Sequence, residues 1–136
     1  MKIRNGFVSN SSSSSFLVAL PDDPKNVEDI RRMFFPDQKL YDVYENEYLN
    51  ECYTTTYGIL CERLLASIED YKSINYTTEE LIAEFDRECI QDFLKMHKKY
   101  RIYFFNYSDD SGDSVEALLS DDELFYNVYH VYQRNS

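Results

Sequence analysis

Tryptophan is absent from this 136-residue chain, and glycine, proline and cysteine occur only three times each. So few glycines and prolines exclude disorder or low-complexity linker over most of the length, because such segments are rich in those residues. Cys52, Cys61 and Cys89 are odd in number, widely spaced and form no C-x-x-C pair, so neither a zinc site nor a disulfide framework is indicated. No apolar run is long enough to cross a bilayer. A hydrophilic serine tract follows Lys2 and Arg4, where a secretory signal would need its apolar stretch. The expected compartment is a reduced cytoplasm. The nucleophile elbow G-x-S-x-G and the phosphate-loop ending G-K-[ST] are missing as well.

Cations are also scarce. Fourteen Lys and Arg stand against 25 Asp and Glu, a formal charge of −11. That balance favours solubility, repels nucleic acid and anionic membranes, and suits a partner with a basic surface. What the chain does have is aromatic bulk, in 13 tyrosines and 9 phenylalanines. The length suits one core. The expected organisation is a single domain over 1–136, with 1–16 as a serine-rich leader.

"SSSFLVAL", residues 13–20, reads as a buried strand that stops at "PDDP". Val27, Ile30, Met33 and Phe34 then recur at helical spacing until Pro36 forbids continuation, with Asn26 or Pro24 available to begin the helix. Within 39–51, Tyr41, Tyr44 and Tyr48 lie three and four residues apart, which favours a helix but leaves a strand open. Leu60, Leu64, Ile68 and Tyr71 mark another helix. The clearest helical pattern starts at Thr77 or Thr78, where Thr77 and Glu80 fit a capping box. It continues along the stripe Ile82, Phe85, Cys89, Phe93 and Met96, with Lys95, Lys98 and Lys99 at its end. Beyond it, "RIYFFNYS" has strand composition, "DDSGD" a turn, "SVEALLS" a returning strand, "DDE" a helical turn, and "YNVYHVYQ" a third strand. The predicted fold is α+β: an antiparallel β-sheet, formed by the N-terminal strand plus a C-terminal meander, packed against three or four helices.

Three groups of residues are candidates for function. Ser11, Ser12, Ser13, Ser14 and Ser15 could offer backbone N–H groups and hydroxyls to an anion, although glycine and a following helix N-terminus are missing. Asp109, Asp110, Asp113, Glu116, Asp121, Asp122 and Glu123 form the densest charge, an acidic binding surface. Carboxylates there could gather a hard cation, but the calcium-loop spacing fails at Tyr107 and no metal is predicted. Tyr41, Tyr44 and Tyr48 make a tyrosine-rich contact segment of the kind enriched at interfaces. His97 and His130 lack a recognisable nucleophile partner, so no catalytic residue is assigned. The basic and aromatic "KMHKKYR" is accounted for by a helix C-terminus, and direct nucleic-acid binding is not expected.

"MKIRNGFVSNSSSSSF", residues 1–16, resembles a leader that recurs in uncharacterised small proteins of bacteriophages and bacterial prophage regions. "FNYSDDSGDSVEALLSDDELFYNVYHV" is similar to the ends of some of them, which carry an Asp-Asp/Asn-Gly-like turn, an acidic stretch, an aromatic and a near-terminal histidine. This chain differs in placing Ser111 before Gly112 and in ending "QRNS". The resemblance implies a phage or mobile-element origin and a leader read by another machine; it carries no biochemical activity. With the charge balance, it predicts a non-enzymatic phage accessory protein without a cofactor, acting in the host cytoplasm. Such a protein would bind and modulate or inhibit a host or defence protein with a basic surface, in the manner of an anti-CRISPR-like inhibitor. Nucleic-acid mimicry is one form of that action, and neither nucleic acid nor membrane is a direct partner. The alternatives are a small enzyme or nucleotide- or phosphate-binding protein using the serine-rich loop, and a virion-associated structural protein. The oligomeric state is left open.

Overall fold

In the computed structural model, which describes residues 13–48, 50–74, 77, 79–80, 83, 85–108 and 112–135, the strand that opens on three serines is the centre of the molecule. The chain runs through strand β1 (Ser13–Leu20), helix α1 (Val27–Phe34), strands β2 (Val43–Tyr48) and β3 (Glu51–Thr56), and helices α2 (Tyr57–Ile74) and α3 (Arg87–Met96). Strand β4 (Arg101–Ser108), helix α4 (Ser114–Leu119), a 3-10 turn at Asp122–Phe125 and strand β5 (Tyr129–Asn135) complete it. The fold is α+β.

Strand β1 lies between β4 and β5 and is antiparallel to both. All eight of its residues are buried, as a continuous apolar run becomes when both faces of a sheet are covered. Alternate side chains go to opposite faces. Phe16, Val18 and Leu20 join Tyr103, Phe105 and Tyr107 of β4 in a core closed by α1, α2, α4 and Phe125. Leu17 and Ala19 turn the other way, with Phe104, onto Phe85 and the α3 residues Ile90 and Phe93.

Three expectations are corrected. The sheet is not a meander. Strands β4 and β5 flank β1 on opposite sides and, each antiparallel to it, run parallel to one another, so no hairpin joins them. The connector must cross over, and "SVEALLS", predicted as a returning strand, forms α4 within it. Gly112 turns the chain at φ 82°. Asp113 then caps the helix by accepting from the N–H groups of Val115 and Glu116.

Residues 43–56 form a β-hairpin rather than the helix favoured by the tyrosine spacing. Tyr48 pairs with Glu51 across the turn, Asn50 adopts φ 66°, and Thr54–Thr56 supply the β-branched return strand. The helical pattern from 77 onward is also interrupted. Thr77 and Glu80 do exchange the reciprocal capping hydrogen bonds, but Asp86 is extended and caps a fresh helix, α3. The restart rotates the stripe: Ile90 and Phe93 are buried, whereas Cys89 is exposed and Met96 is 74% exposed. Ile82 lies outside the described residues.

Candidate functional site

The loop from Phe35 to Asp42, between α1 and the hairpin, is fixed by the start of α2. A helix N-terminus has N–H groups with no partner inside the helix. Here Tyr57 N–H donates to the Asp42 carbonyl at 3.0 Å, and Gly58 N–H donates to the Leu40 carbonyl at 2.7 Å. A Cβ on residue 58 would stand 3.0 Å from that carbonyl oxygen, so glycine permits the approach. From the other side, Arg31 Nη1 donates to the Gln38 carbonyl at 2.7 Å.

Three depressions meet on this loop. One, of about 470 Å³, is bordered by Glu28, Arg31, Lys39 and Tyr41. A second, of about 510 Å³, lies between Met33, Tyr100, Tyr126 and Tyr129. The third, of about 200 Å³, is walled by Phe35, Tyr44 and Tyr57 with Asp37 and Glu123. They share walls: Pro36 borders the first two, Asp37 and Gln38 the first and third, Asn127 the second and third. The result is one continuous indented face. Tyr41, Tyr126 and Tyr129 stand on it 74%, 69% and 55% exposed, and Tyr129 is braced by a stack on His97 with centroids 4.4 Å apart.

Its lining charges balance, Glu28, Asp37 and Glu123 against Arg31, Arg32 and Lys39; Arg31 is held by Glu28 at 2.6 Å and Arg32 is paired with Asp29. Burial, then the charges of Glu123 and Asp121, push the Tyr44 hydroxyl well above its ordinary pKa. Tyr57 is pushed up by burial and by Asp42 and Glu123. Both phenols therefore stay neutral at physiological pH and keep their hydrogen-bonding capacity.

The predicted site residues separate into engaged and available groups. Asp113 caps α4 and accepts from Arg63 at 2.6 Å, and the Arg63 guanidinium chiefly holds its carboxyl below the usual range. Glu116 accepts from the Ser108 N–H at 2.8 Å, and Asp121 accepts from the Asn46 amide at 3.0 Å, tying the hairpin to the 3-10 turn. Asp122 and Glu123 remain at the surface. Tyr41 and Tyr44 border adjacent depressions rather than one helix face. Ser13, Ser14 and Ser15 are buried in β1. Asn106 donates to Ser15 Oγ at 2.9 Å, and Arg134 to Ser14 Oγ at 3.3 Å, so these hydroxyls are bonded within the sheet. Ser11, Ser12, Asp109, Asp110 and the Tyr48 side chain lie outside the described residues. Phe35 and Tyr57 were not singled out by sequence, whereas Tyr126 and Tyr129 belong to the acidic, tyrosine-rich stretch "DDELFYNVYHVY". Nothing local separates the last two from Tyr103 and Tyr107, which are core.

Burial pushes the Cys61 thiol up to about 12, so it is not a thiolate nucleophile at neutral pH. Among the described residues no three His, Cys, Asp or Glu side chains are gathered to hold a metal ion, and no helix is long and apolar enough to cross a membrane. No family model, curated protein or solved structure matches the chain.

Since Asp113 closes the N-terminus of α4, Asp113→Ala is expected to cost about 1–2 kcal/mol in urea unfolding, the range for a lost N-cap. The partly exposed Arg63 pair adds little to that. Asp122→Ala, which removes no such bond, should stay within about 0.5 kcal/mol. Equal losses would sink the assignment of Asp113 as the structural member of the acidic run.

Proposed function

We propose that the chain is a phage-encoded accessory protein that binds and modulates a host or defence protein through the indented face around Pro36–Tyr41. The observation that carries this reading is the meeting of three depressions on one anchored loop, with exposed tyrosines on their rims. Tyrosines beside pockets are the residues and the setting of interface hot spots. The phage origin rests on the resemblance of the leader, and host cytoplasm is the matching location. Because Asp113, Glu116 and Asp121 are engaged in internal hydrogen bonds, a tyrosine-centred interface is favoured over a phosphate mimic built from free carboxylates. No observation favours an enzyme or anion loop built on Ser13–Ser15.

The test is capture of a partner from lysates of infected and uninfected host cells, eluted in salt steps. One stoichiometric basic protein that withstands moderate salt is expected. The triple substitution Tyr41→Ala, Tyr126→Ala, Tyr129→Ala should weaken its retention at least tenfold, since one hot spot is worth about 2 kcal/mol or more. A partner that elutes steeply with salt and ignores the tyrosines would point to the mimic form instead. Absence of a specific partner from either lysate would count against the reading.

A further inference from the structure

The smallest of the three depressions has a wall chemistry the other two lack. At about 200 Å³ it falls below the roughly 300–1,000 Å³ typical of small-molecule sites, so its size suits one side chain rather than a nucleotide. Three aromatic rings border it in an edge-to-face series. Phe35 and Tyr57 have centroids 5.0 Å apart at 66°, and Tyr57 and Tyr44 have centroids 5.6 Å apart at 73°. The carboxylates of Asp37 and Glu123 complete the rim, and neither takes an ion-pair partner among the described residues. The Tyr44 hydroxyl oxygen is itself buried, so this residue offers the cavity its ring.

Aromatic faces attract cations, and carboxylates accept hydrogen bonds from them. A guanidinium meets both. It is planar, stacks on rings and presents five N–H donors in a fork, whereas an ammonium is a compact, strongly hydrated point charge.

We infer that the Phe35–Tyr44–Tyr57 cavity is a seat for a single arginine side chain of the protein partner, with Asp37 and Glu123 taking its charge. The inference rests on the protein-binding reading for its biological occupant, but the seat itself can be examined without that partner.

N-acetyl-arginine amide is titrated into the full chain carrying ¹³C-labelled tyrosine, with N-acetyl-lysine amide and N-acetyl-citrulline amide in parallel. Citrulline keeps the shape of arginine and removes the charge. Saturable shifts of the Tyr44 and Tyr57 ring signals are expected with the arginine amide, with weaker binding of the lysine amide and none of the citrulline amide. Glu123→Gln should weaken the arginine amide about tenfold, as loss of a charge-assisted hydrogen bond would. No saturable shift at Tyr44 and Tyr57, or equal binding of all three amides, would overturn the seat. It would leave the wider face intact, because partner capture through Tyr41, Tyr126 and Tyr129 is measured separately.

Discussion

Phe16→Ala is expected to destabilise the fold by about 3–5 kcal/mol, the usual cost of deleting a buried phenylalanine ring from a core. Phe16 is fully buried in the middle strand. Its ring stacks on Phe125 with centroids 3.9 Å apart and packs against Tyr132 at 5.2 Å. Across the ladders its partners are Phe105 and Tyr132. One ring therefore joins all three strands to the 3-10 turn, and its loss leaves a void that neighbours anchored in three different elements cannot easily fill. Domains hold only about 5–15 kcal/mol in total, so the variant should show a large fall in urea midpoint and in soluble yield. Leu17→Ala, on the opposite face of the same strand, should cost about 2–5 kcal/mol by emptying the smaller core against α3. A loss below about 1 kcal/mol for Phe16→Ala would mean that the sheet does not organise the core.

Asp23→Asn is expected to lower stability with a dependence on pH whose sign is fixed. Asp23 follows β1 in the Pro21–Pro24 turn. It accepts from the Tyr103 hydroxyl at 2.5 Å and pairs with Lys72 at 2.7 Å and Lys25 at 3.0 Å. The Lys72 ammonium first, and the Tyr103 hydroxyl next, hold its carboxyl well below the usual carboxylate range. A depressed folded pKa gives stability that is fully present above the unfolded value, about 3.9, and is lost as pH falls through the folded one. The variant should therefore be weaker by about 1–3 kcal/mol at pH 7, with the gap to the native chain closing progressively below about pH 4. Chemical denaturation at a series of pH values reads this directly. A gap that stays constant down to pH 2 would show that Asp23 acts through packing and not through its charge.

Much of the scaffold is readable from residue types because one physical signal dominates in each element. Phe16 to Leu20 is an apolar run too short for a buried helix, with serines before it and Pro21 after it. Asn26 and Pro36 bracket α1 with a cap and a stop, and Leu60, Leu64 and Ile68 recur on α2. Errors arise where two signals compete. Tyr41, Tyr44 and Tyr48 match a helical period, but Tyr44 and Asn46 also alternate with Glu45 and Glu47, and pairing with the threonine-rich strand decides the outcome. "SVEALLS" follows a turn and looks like a returning strand, yet Asp113-x-x-Glu116 ahead of Ala-Leu-Leu is a helix-start pattern. That pattern carried the information. The continuous stripe from Ile82 to Met96 ignores Asp86, whose capping carboxylate restarts the helix and turns Cys89 outward.

The candidate site was less legible than the scaffold. Tyr41, Tyr44 and Glu123 border the indented face. Phe35, Tyr57 and Tyr126 reach it only because the loop, α2 and the crossover connection converge, a long-range arrangement with no local signature. The acidic run was legible as charge but not as structure: sequence cannot tell a carboxylate that caps a helix, such as Asp113, from one that faces solvent.

The position of β1 has a consequence for how the protein is made. Its two hydrogen-bonding neighbours are β4 and β5, and Ser13 is matched with Asn135. The most apolar of the five strands thus leaves the ribosome before the other four and receives its second neighbour last. Such long loops must close before their contacts repay the cost, which slows folding, and a waiting apolar strand is open to the wrong partners meanwhile. Nascent chains halted before residue 129 should keep one edge of that strand unfilled, a state for a chaperone to hold until the last seven residues of the sheet arrive.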